Sequence, residues 1–171
     1  NRAIKMYEEG LKWDPYLGQI YYEMGKVLRN RKLYNVALEY FEQAEKYIDH
    51  PDLPQYLASV YLRNNLLDKA AIKLKQAISY MREEKSMFPM YHQLGTVYYR
   101  LKKYKEAEMA FKDVLKIFPN YVITRYKLGE VYLQQNKQDE ALEEFKIVIE
   151  LAPNSMQAKL AIEKIQKIKQ Q

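Results

Sequence analysis

Apolar side chains recur along this chain at the spacing of amphipathic helices, and the whole pattern repeats every 34 residues. Residues 88–121 and 122–155 show the repeat most clearly, because the pair Leu94-Gly95 recurs as Leu128-Gly129. The other matched positions are Tyr98 and Tyr132, Ala107 and Ala141, Phe111 and Phe145, and Pro119 and Pro153. A period of this length with helical spacing inside it predicts stacked pairs of antiparallel helices.

The rest of the chain divides into units of the same kind. We expect a half repeat, four full repeats and a capping helix, which together form a single domain over residues 1–171. The full repeats are residues 18–50, 51–87, 88–121 and 122–155, the half repeat is 1–15, and the capping helix is 156–171. Pro15 aligns with Pro119, so the half repeat matches only the second helix, and we expect the chain to begin within a repeat. Asn154 or Ser155 is a suitable N-cap for the last helix.

One repeat is longer than the others. The small residues Ala58 and Gly95 lie 37 positions apart, three more than the period, and the surplus falls in residues 81–87. Three residues are nearly one turn of α-helix. The spacing therefore predicts a longer second helix or a bulged turn there, with a local change in the twist of the stack.

Small residues mark the predicted helix crossings. Each repeat has Gly or Ala in its first helix and Ala twelve residues later, where a larger side chain would push the two helices apart. Four residues after that alanine, an aromatic or leucine side chain fills the space towards the next repeat, and its burial is worth about 1.5–3 kcal/mol. These side chains are Phe41, Leu74, Phe111 and Phe145. The dipeptides Asn64-Asn65, Lys102-Lys103 and Asn136-Lys137 mark the turns inside the repeats.

These positions resemble the tetratricopeptide repeat, whose 34-residue pattern is W-x₂-L-G-x₂-Y…A-x₃-F…P. The resemblance covers nearly the whole chain, and Tyr91 occupies the tryptophan position of residues 88–121. The chain departs from the pattern at that position with Pro54 and Arg125, and at the closing proline with Asp49 and Arg82. The resemblance implies an all-α fold, a right-handed α-solenoid of antiparallel helix pairs.

In the family resembled, the first helices line a concave groove, and we expect that groove to bind a protein or peptide. Aromatic and arginine side chains suit this role because they combine rigid area with hydrogen bonding. The expected groove residues are Tyr22, Lys26, Arg29, Tyr56, Arg63, His92, Thr96, Tyr99, Arg100, Tyr126, Lys127 and Glu130. Tyr98 and Tyr132 are expected to build the stack, whereas Tyr22, Tyr99 and Tyr126 are expected to stay free to bind. The alternative is a solvated helix face with a few exposed tyrosines.

Two known ligand-binding patterns of such repeats are not matched. The Lys-Asn-Asn-Lys-Arg set that holds the C-terminal carboxylate of heat-shock chaperones is replaced by other residues, namely Tyr22, Lys26, Tyr56, Pro89 and Gln93. The asparagine ladder of the glycosyltransferase-linked repeats is also absent. Peptide binding is therefore expected to use another chemistry.

The composition argues against other kinds of partner and site. The net charge of +6 comes from 28 Lys and Arg against 22 Asp and Glu, and the two signs alternate, so no basic stripe for nucleic acid is present. The chain has no cysteine, which excludes thiolate metal sites and cysteine nucleophiles. His50 and His92 lack the spacing of a metal site, and we expect a turn residue and a groove residue, respectively.

No enzyme signature is present either. No serine lies in a G-x-S-x-G elbow, and the adjacent glutamates lie among lysines, as on a solvated helix face. We expect no enzyme activity, no cofactor and no small-molecule substrate. No stretch reaches the roughly 18 apolar residues of a membrane span, so a membrane partner is not expected. Residues 1–5 do not begin a signal peptide, so a cytoplasmic location is favoured without being determined.

The preferred interpretation is a non-catalytic scaffold for protein–protein interaction. One alternative is a self-assembling structural module, because the helix of residues 1–15 should expose an apolar face that includes Ile4, Tyr7 and Leu11, through which a homo-oligomer would form. Another alternative is a targeting or recruiting module of a larger enzyme or of a secretion or assembly complex.

Overall fold

The structure, a computed structural model, describes residues 2–14 and 16–170, and in this part the chain forms ten helices and no strand. In chain order they are α1 (Arg2–Trp13), α2 (Gly18–Asn30), α3 (Tyr34–Tyr47), α4 (Leu53–Arg63), α5 (Leu67–Tyr80), α6 (Glu84–Arg100), α7 (Tyr104–Ile117), α8 (Val122–Gln134), α9 (Gln138–Leu151) and α10 (Met156–Lys169). Pro15, which aligns with Pro119 in the repeat pattern, lies outside the described residues. The all-helical expectation is confirmed for these ranges.

The helices pack in consecutive antiparallel pairs, and the chain divides into two compact units. Unit 1 is Asn1–Tyr80 and unit 2 is Met81–Gln171. In unit 1, α2 pairs with α3 and α4 with α5, and the first helices α2 and α4 are neighbours. In unit 2, α6 pairs with α7 and α8 with α9, α8 touches both α6 and α10, and α10 packs on α9. The assignment of residues 1–171 to a single domain stays a prediction.

The turn inside each helix pair has the same backbone geometry. One residue per turn has positive φ: Lys32, Asn65, Lys102 and Asn136, at 62°, 58°, 58° and 59°. The backbone N–H of the residue after it donates to the carbonyl five residues earlier, for example from Lys103 to Tyr98 at 2.9 Å. This is the Schellman closure of a helix C-terminus. The turns therefore lie where the sequence predicts them, and backbone hydrogen bonds close them without a glycine.

The three surplus residues lengthen a first helix. Helix α5 has 14 residues, as do α3, α7 and α9, and only residues 81–83 separate it from α6. Helix α6 has 17 residues, against 13 in α2 and α8. The prediction of a longer second helix or a bulged turn is therefore wrong. Residues 84–88 contain no glycine or β-branched side chain, so they extend the helix backwards, ahead of Pro89. The predicted change in the twist of the stack stays a prediction.

The small residues of the first helices allow the close approach that the sequence predicts. A Cβ placed on Gly25, Gly95 or Gly129 would lie 2.6 Å from the ring of the phenylalanine on the paired second helix. These rings belong to Phe41, Phe111 and Phe145, which are fully buried. In the α4–α5 pair the small residue is Ala58 and the buried partner is Leu74. Where the first helix carries the methyl group of an alanine in place of glycine, the second helix thus carries leucine in place of the larger phenylalanine.

The ends of the chain differ from the sequence-based expectation in detail. The Ser155 hydroxyl caps α10 by accepting from the Ala158 N–H at 3.1 Å, which selects one of the two predicted caps. In α1, Tyr7 and Leu11 are half-buried rather than exposed, because α1 packs on α2. The side chain of Ile4 lies outside the described part. The large apolar side chains that α1 exposes among its described residues are Met6 and Trp13, at 63% and 92% exposure.

Candidate peptide-binding surfaces

The twelve predicted groove residues fall on two separate surfaces, one in each unit. The unit 1 surface lies on α2 and α4 and consists of Tyr22, Lys26, Arg29, Tyr56 and Arg63. The unit 2 surface lies on α6 and α8 and consists of His92, Thr96, Tyr99, Arg100, Tyr126, Lys127 and Glu130. Within each unit the two first helices are neighbours, so the residues of each set lie on adjacent helices. One groove across all four repeats stays a prediction.

An aromatic cluster forms the base of the unit 1 surface. Tyr22 is 3% exposed, stacks on the His50 ring at 4.4 Å and meets the edge of Tyr56 at 5.6 Å. Tyr56 in turn stacks on Phe41 at 5.6 Å, which joins two consecutive repeats. Burial, with the neighbouring Tyr56, raises the pKa of the Tyr22 phenol far above its ordinary value, so this hydroxyl stays protonated.

Cationic side chains lie over the tyrosine rings of the same surface. The Lys26 ammonium is 4.9 Å from the centre of the Tyr22 ring and forms an ion pair with Glu23 at 3.0 Å. The Arg29 guanidinium lies 4.6 Å from the Tyr56 ring, and that of Arg63 lies 5.5 Å from the Tyr34 ring. The tyrosine faces attract these cations through the ring quadrupole. The two arginines are thereby held in place without a carboxylate partner among the described residues.

A cavity of about 270 Å³ opens beside these two arginines. It is lined by residues from the C-terminal halves of α2 and α4, from the turn after α2 and from the start of α3: Arg29, Asn30, Lys32, Tyr34, Ser59 and Arg63. Three of the six carry a positive charge, and none of these lining residues is acidic. The sequence-based prediction included the two arginines but not Lys32 or Tyr34, because the fold brings those two in from outside the first helices.

A half-buried histidine anchors one end of the unit 2 surface. His92 Nδ1 lies 2.7 Å from the Thr124 hydroxyl of α8, and its ring packs on Phe111 at 5.6 Å. Burial, with the positive charge of Lys127 nearby, lowers the pKa of the imidazole. Thr96 donates its hydroxyl to the His92 backbone carbonyl at 3.0 Å. His92 is therefore a neutral hydrogen-bonding group between α6 and α8.

The other end of the unit 2 surface is organised by Glu130. This carboxylate pairs with Lys127 at 2.8 Å and with Lys164 of α10 at 3.9 Å, and it accepts from the Tyr126 hydroxyl at 3.4 Å. Burial and the Glu130 charge raise the pKa of Tyr126 to about 12. Burial and Glu130 also raise the pKa of Tyr99, whose ring lies 5.8 Å from Tyr104. These tyrosines are therefore neutral at physiological pH.

The expectation that Tyr22 and Tyr126 stay free to bind is wrong. They are 3% and 6% exposed, because each packs on the phenylalanine of its own second helix, Phe41 or Phe145, at 6.3 and 5.6 Å. Both precede the glycine of their repeat by three residues. Positions i and i+3 lie on one face of a helix, and that glycine faces the phenylalanine. The spacing to the glycine was thus the signal for burial. Tyr98 and Tyr132, at 8% and 7%, build the stack as predicted.

Three residues outside the predicted groove set also make contacts at or near the two surfaces. Thr124 is fully buried and reaches His92 from α8. His50 lies in the connection between α3 and α4, as expected, but its ring stacks on Tyr22 and its Nδ1 accepts from the Asp52 N–H at 3.2 Å. A third residue, Arg125, stands in the tryptophan position and bridges α8 and α9 through Glu144 at 2.8 Å.

The lowered pKa of His92 predicts that unit 2 loses stability in mild acid. The imidazole of the unfolded chain takes up a proton near pH 6.5, whereas the folded imidazole resists it until the pH is lower. The stabilisation is therefore complete above about pH 6.5 and is lost as the pH falls towards the folded pKa. Urea unfolding at about pH 8 and about pH 5.5 measures this loss. In the variant His92→Asn the difference between the two pH values should shrink, and an unchanged difference would contradict the assignment.

The described residues hold no cluster of three or more His, Cys, Asp or Glu side chains suited to a metal ion. Among the described helices, none combines the length and apolar character that crossing a membrane requires.

Comparison with known proteins identifies the repeat. Tetratricopeptide-repeat family models match residues 18–48 and 86–154, which together span more than half of the chain. The general transcriptional corepressor ssn6 of Schizosaccharomyces pombe is 26% identical over 125 residues, or 71% of this chain, and the chain spans 11% of the length of that relative.

Solved structures share the fold. YrrB, described as a TPR protein with an unusual peptide-binding site, has a TM-score of 0.85 and 24% identity, and the match covers 95% of this chain and 82% of YrrB. A MamA protein has a TM-score of 0.76 and 23% identity, with 88% and 81% covered. These similarities confirm the α-solenoid fold class.

Proposed function

Because the chain belongs to the tetratricopeptide-repeat family, we propose that it is a non-catalytic scaffold that binds a segment of a partner protein on its first-helix surfaces. The fold itself is that of a protein–protein interaction module. The observation that carries the finer proposal is the pair Arg29 and Arg63, which tyrosine rings hold at a cavity without a carboxylate partner among the described residues. Such preorganised arginine and tyrosine side chains are enriched where proteins bind peptides tightly.

The known relatives support a peptide or protein as the ligand. YrrB shares the fold and is described as having a peptide-binding site. The relative ssn6 is a corepressor, and this chain spans 11% of its length. A role as the recruiting module of a larger protein is consistent with that relationship. Brought to this chain, both relatives favour a binding role over a catalytic one.

A selection from a random peptide library tests the proposal. The full chain is used as the target, and peptides that it enriches are measured by fluorescence anisotropy against variants of both surfaces. We expect Arg63→Ala or Tyr99→Ala to weaken binding about tenfold, since one well-made interface side chain is worth more than about 1 kcal/mol. The matched control is Lys105→Ala, on the exposed side of α7, which should bind as the original chain does. A failure to enrich any peptide, or an equal loss in the control, would contradict the proposal.

Self-assembly is a second candidate, favoured by the exposed Trp13 and Met6 of α1. These two side chains lie seven positions apart, on one face of α1, and an exposed apolar patch suits a contact with a second copy. Sedimentation velocity over a concentration series separates the two functions. A monomer at every concentration rules out self-assembly. An oligomer that the variant Trp13→Ser converts to a monomer supports it.

A further inference from the structure

We propose that the cavity at the ends of α2 and α4 binds the carboxylates of a run of acidic residues in the partner peptide. This inference rests on the proposed peptide-binding function and gives the chemistry of the ligand. The cavity, which we call the cationic pocket, has a volume of about 270 Å³ and presents Arg29, Lys32 and Arg63. It lies within unit 1, at the opposite end of the first helices from Tyr22 and His50.

The charge of the cationic pocket is not neutralised by the part of the chain that the structure describes. No acidic side chain is among its lining residues, and no described carboxylate forms an ion pair with any of the three cations. Two cations elsewhere that bridge helices do have a carboxylate partner: Arg125 pairs with Glu144 at 2.8 Å, and Lys137 with Glu108 at 3.0 Å. The three cations of the pocket lie close together without such a partner among the described residues.

The arginines of the pocket are preorganised for planar ligands. A tyrosine ring lies beside each guanidinium, with its centre 4.6 Å from the guanidinium carbon of Arg29 and 5.5 Å from that of Arg63. Arg29 Nη2 also donates to the Asn30 side-chain oxygen at 3.1 Å, which fixes its orientation. A guanidinium edge offers two parallel donors that match the two oxygens of a carboxylate. Ordering the arginines before binding lowers the entropy cost of association.

The helix ends alone do not account for these cations. Positive side chains are favoured near helix C-termini because the last carbonyls carry partial negative charge. Here those carbonyls already accept backbone hydrogen bonds: the Leu28 carbonyl from Leu33 at 3.0 Å, and the Tyr61 carbonyl from Leu66 at 2.9 Å. The Ser59 hydroxyl is likewise occupied, since it donates to the Tyr56 carbonyl at 2.7 Å. The charged donors left for a ligand are those of Arg29, Lys32 and Arg63.

An acidic peptide fits the cationic pocket better than a single anion does. Three cations from two helices and a turn offer separate points of attachment, which successive Asp or Glu side chains of one extended segment would occupy together. The net charge of +6 also favours the approach of an acidic segment. The recognition is distinct from the chaperone clamp, whose residues this chain lacks, because Arg63 lies at the end of α4 and Lys32 lies in the turn after α2.

The experiment uses the full chain and a fluorescein-labelled peptide with four consecutive glutamates between Gly-Ser flanks, and its matched partner with four glutamines. Anisotropy is measured at about 0.15 M salt, where interactions between distant exposed charges are largely screened. We expect the glutamate peptide to bind and the glutamine peptide not to bind. The double variant Arg29→Gln/Arg63→Gln should weaken binding at least about tenfold, since hydrogen bonds to charged groups are worth about 1.5–3 kcal/mol.

The control for charge is the double variant Arg82→Gln/Lys105→Gln, which removes the same charge from exposed positions outside the pocket. It should bind the glutamate peptide within about twofold of the original chain. Circular dichroism and a thermal melt check that both double variants are folded. The single change Lys32→Gln at the exposed turn provides a second test, in which the affinity for the glutamate peptide should fall by about threefold.

Three outcomes would overturn the inference. They are no binding of the glutamate peptide, an equal loss in the pocket and control variants, and competition by inorganic phosphate at concentrations where acetate has no effect, which would assign the pocket to a phosphorylated ligand. If peptides selected from the random library bind while the glutamate peptide does not, the acidic ligand is wrong and the peptide-binding function stands. If the library yields no ligand, the proposed peptide-binding function itself is contradicted.

Discussion

Replacement of Phe111 by alanine is expected to lower the free energy of unfolding by about 3–5 kcal/mol. The ring is fully buried between α6 and α7, where it packs on His92 at 5.6 Å and fills the space opposite Gly95. The glycine has no side chain that could move into the cavity, so the site cannot collapse well after the ring is removed. Urea unfolding followed by circular dichroism measures the loss.

The matched control for this change is Met109→Ala on the same helix. Met109 is 67% exposed, so its truncation should change the free energy of unfolding by no more than about 0.5 kcal/mol. A loss below about 1 kcal/mol for Phe111→Ala would contradict the central role assigned to the ring.

The second large effect is expected from Gly95→Ala. The added methyl would lie 2.6 Å from Phe111 Cε1, and overpacking of a buried contact costs about 1–3 kcal/mol. Alanine is a better helix former than glycine by about 1 kcal/mol, which offsets part of this cost. We expect a net destabilisation, since the ring that would have to move is fully buried.

The α4–α5 pair indicates how the clash is relieved. There Ala58 lies opposite Leu74, and both are fully buried. The double variant Gly95→Ala/Phe111→Leu should therefore be more stable than the sum of the two single changes predicts. A double-mutant cycle of unfolding free energies measures this coupling, which neighbouring residues show at about 0.5–3 kcal/mol. Strictly additive single effects would show that the two positions do not compensate each other.

Much of the fold could be predicted because the period fixes positions that the backbone must satisfy. The recurrence of Leu94-Gly95 as Leu128-Gly129 indicates where the helices cross, and the same repeat pattern indicates the turns that contain Asn65 and Asn136. Crossings and turns are local requirements, so they leave a local mark in the sequence. The three surplus residues could be counted, but a count does not say whether they join α5, the connection or α6.

The candidate site was harder to predict because it depends on contacts between repeats. The face of a helix follows from its own sequence, and the three-residue spacing from Tyr126 to Gly129 does indicate burial. The position of Arg29 over Tyr56, and of Arg63 over Tyr34, joins residues whose spacing carries no signal. The pairing of His92 with Thr124 is of the same kind. Such contacts depend on how side chains from successive repeats meet.

The neighbour-to-neighbour packing of the helices also bears on how quickly the chain folds. Within each unit, every described helix packs only on helices one or two places away in the chain. Contacts between segments so close in sequence require only short loops to close, and the entropy cost of closure is correspondingly small. Helical proteins with such local contacts fold in microseconds to milliseconds, whereas β-sheet domains of the same stability are far slower. A helix pair emerging from the ribosome would therefore find its partner surface within a few dozen residues.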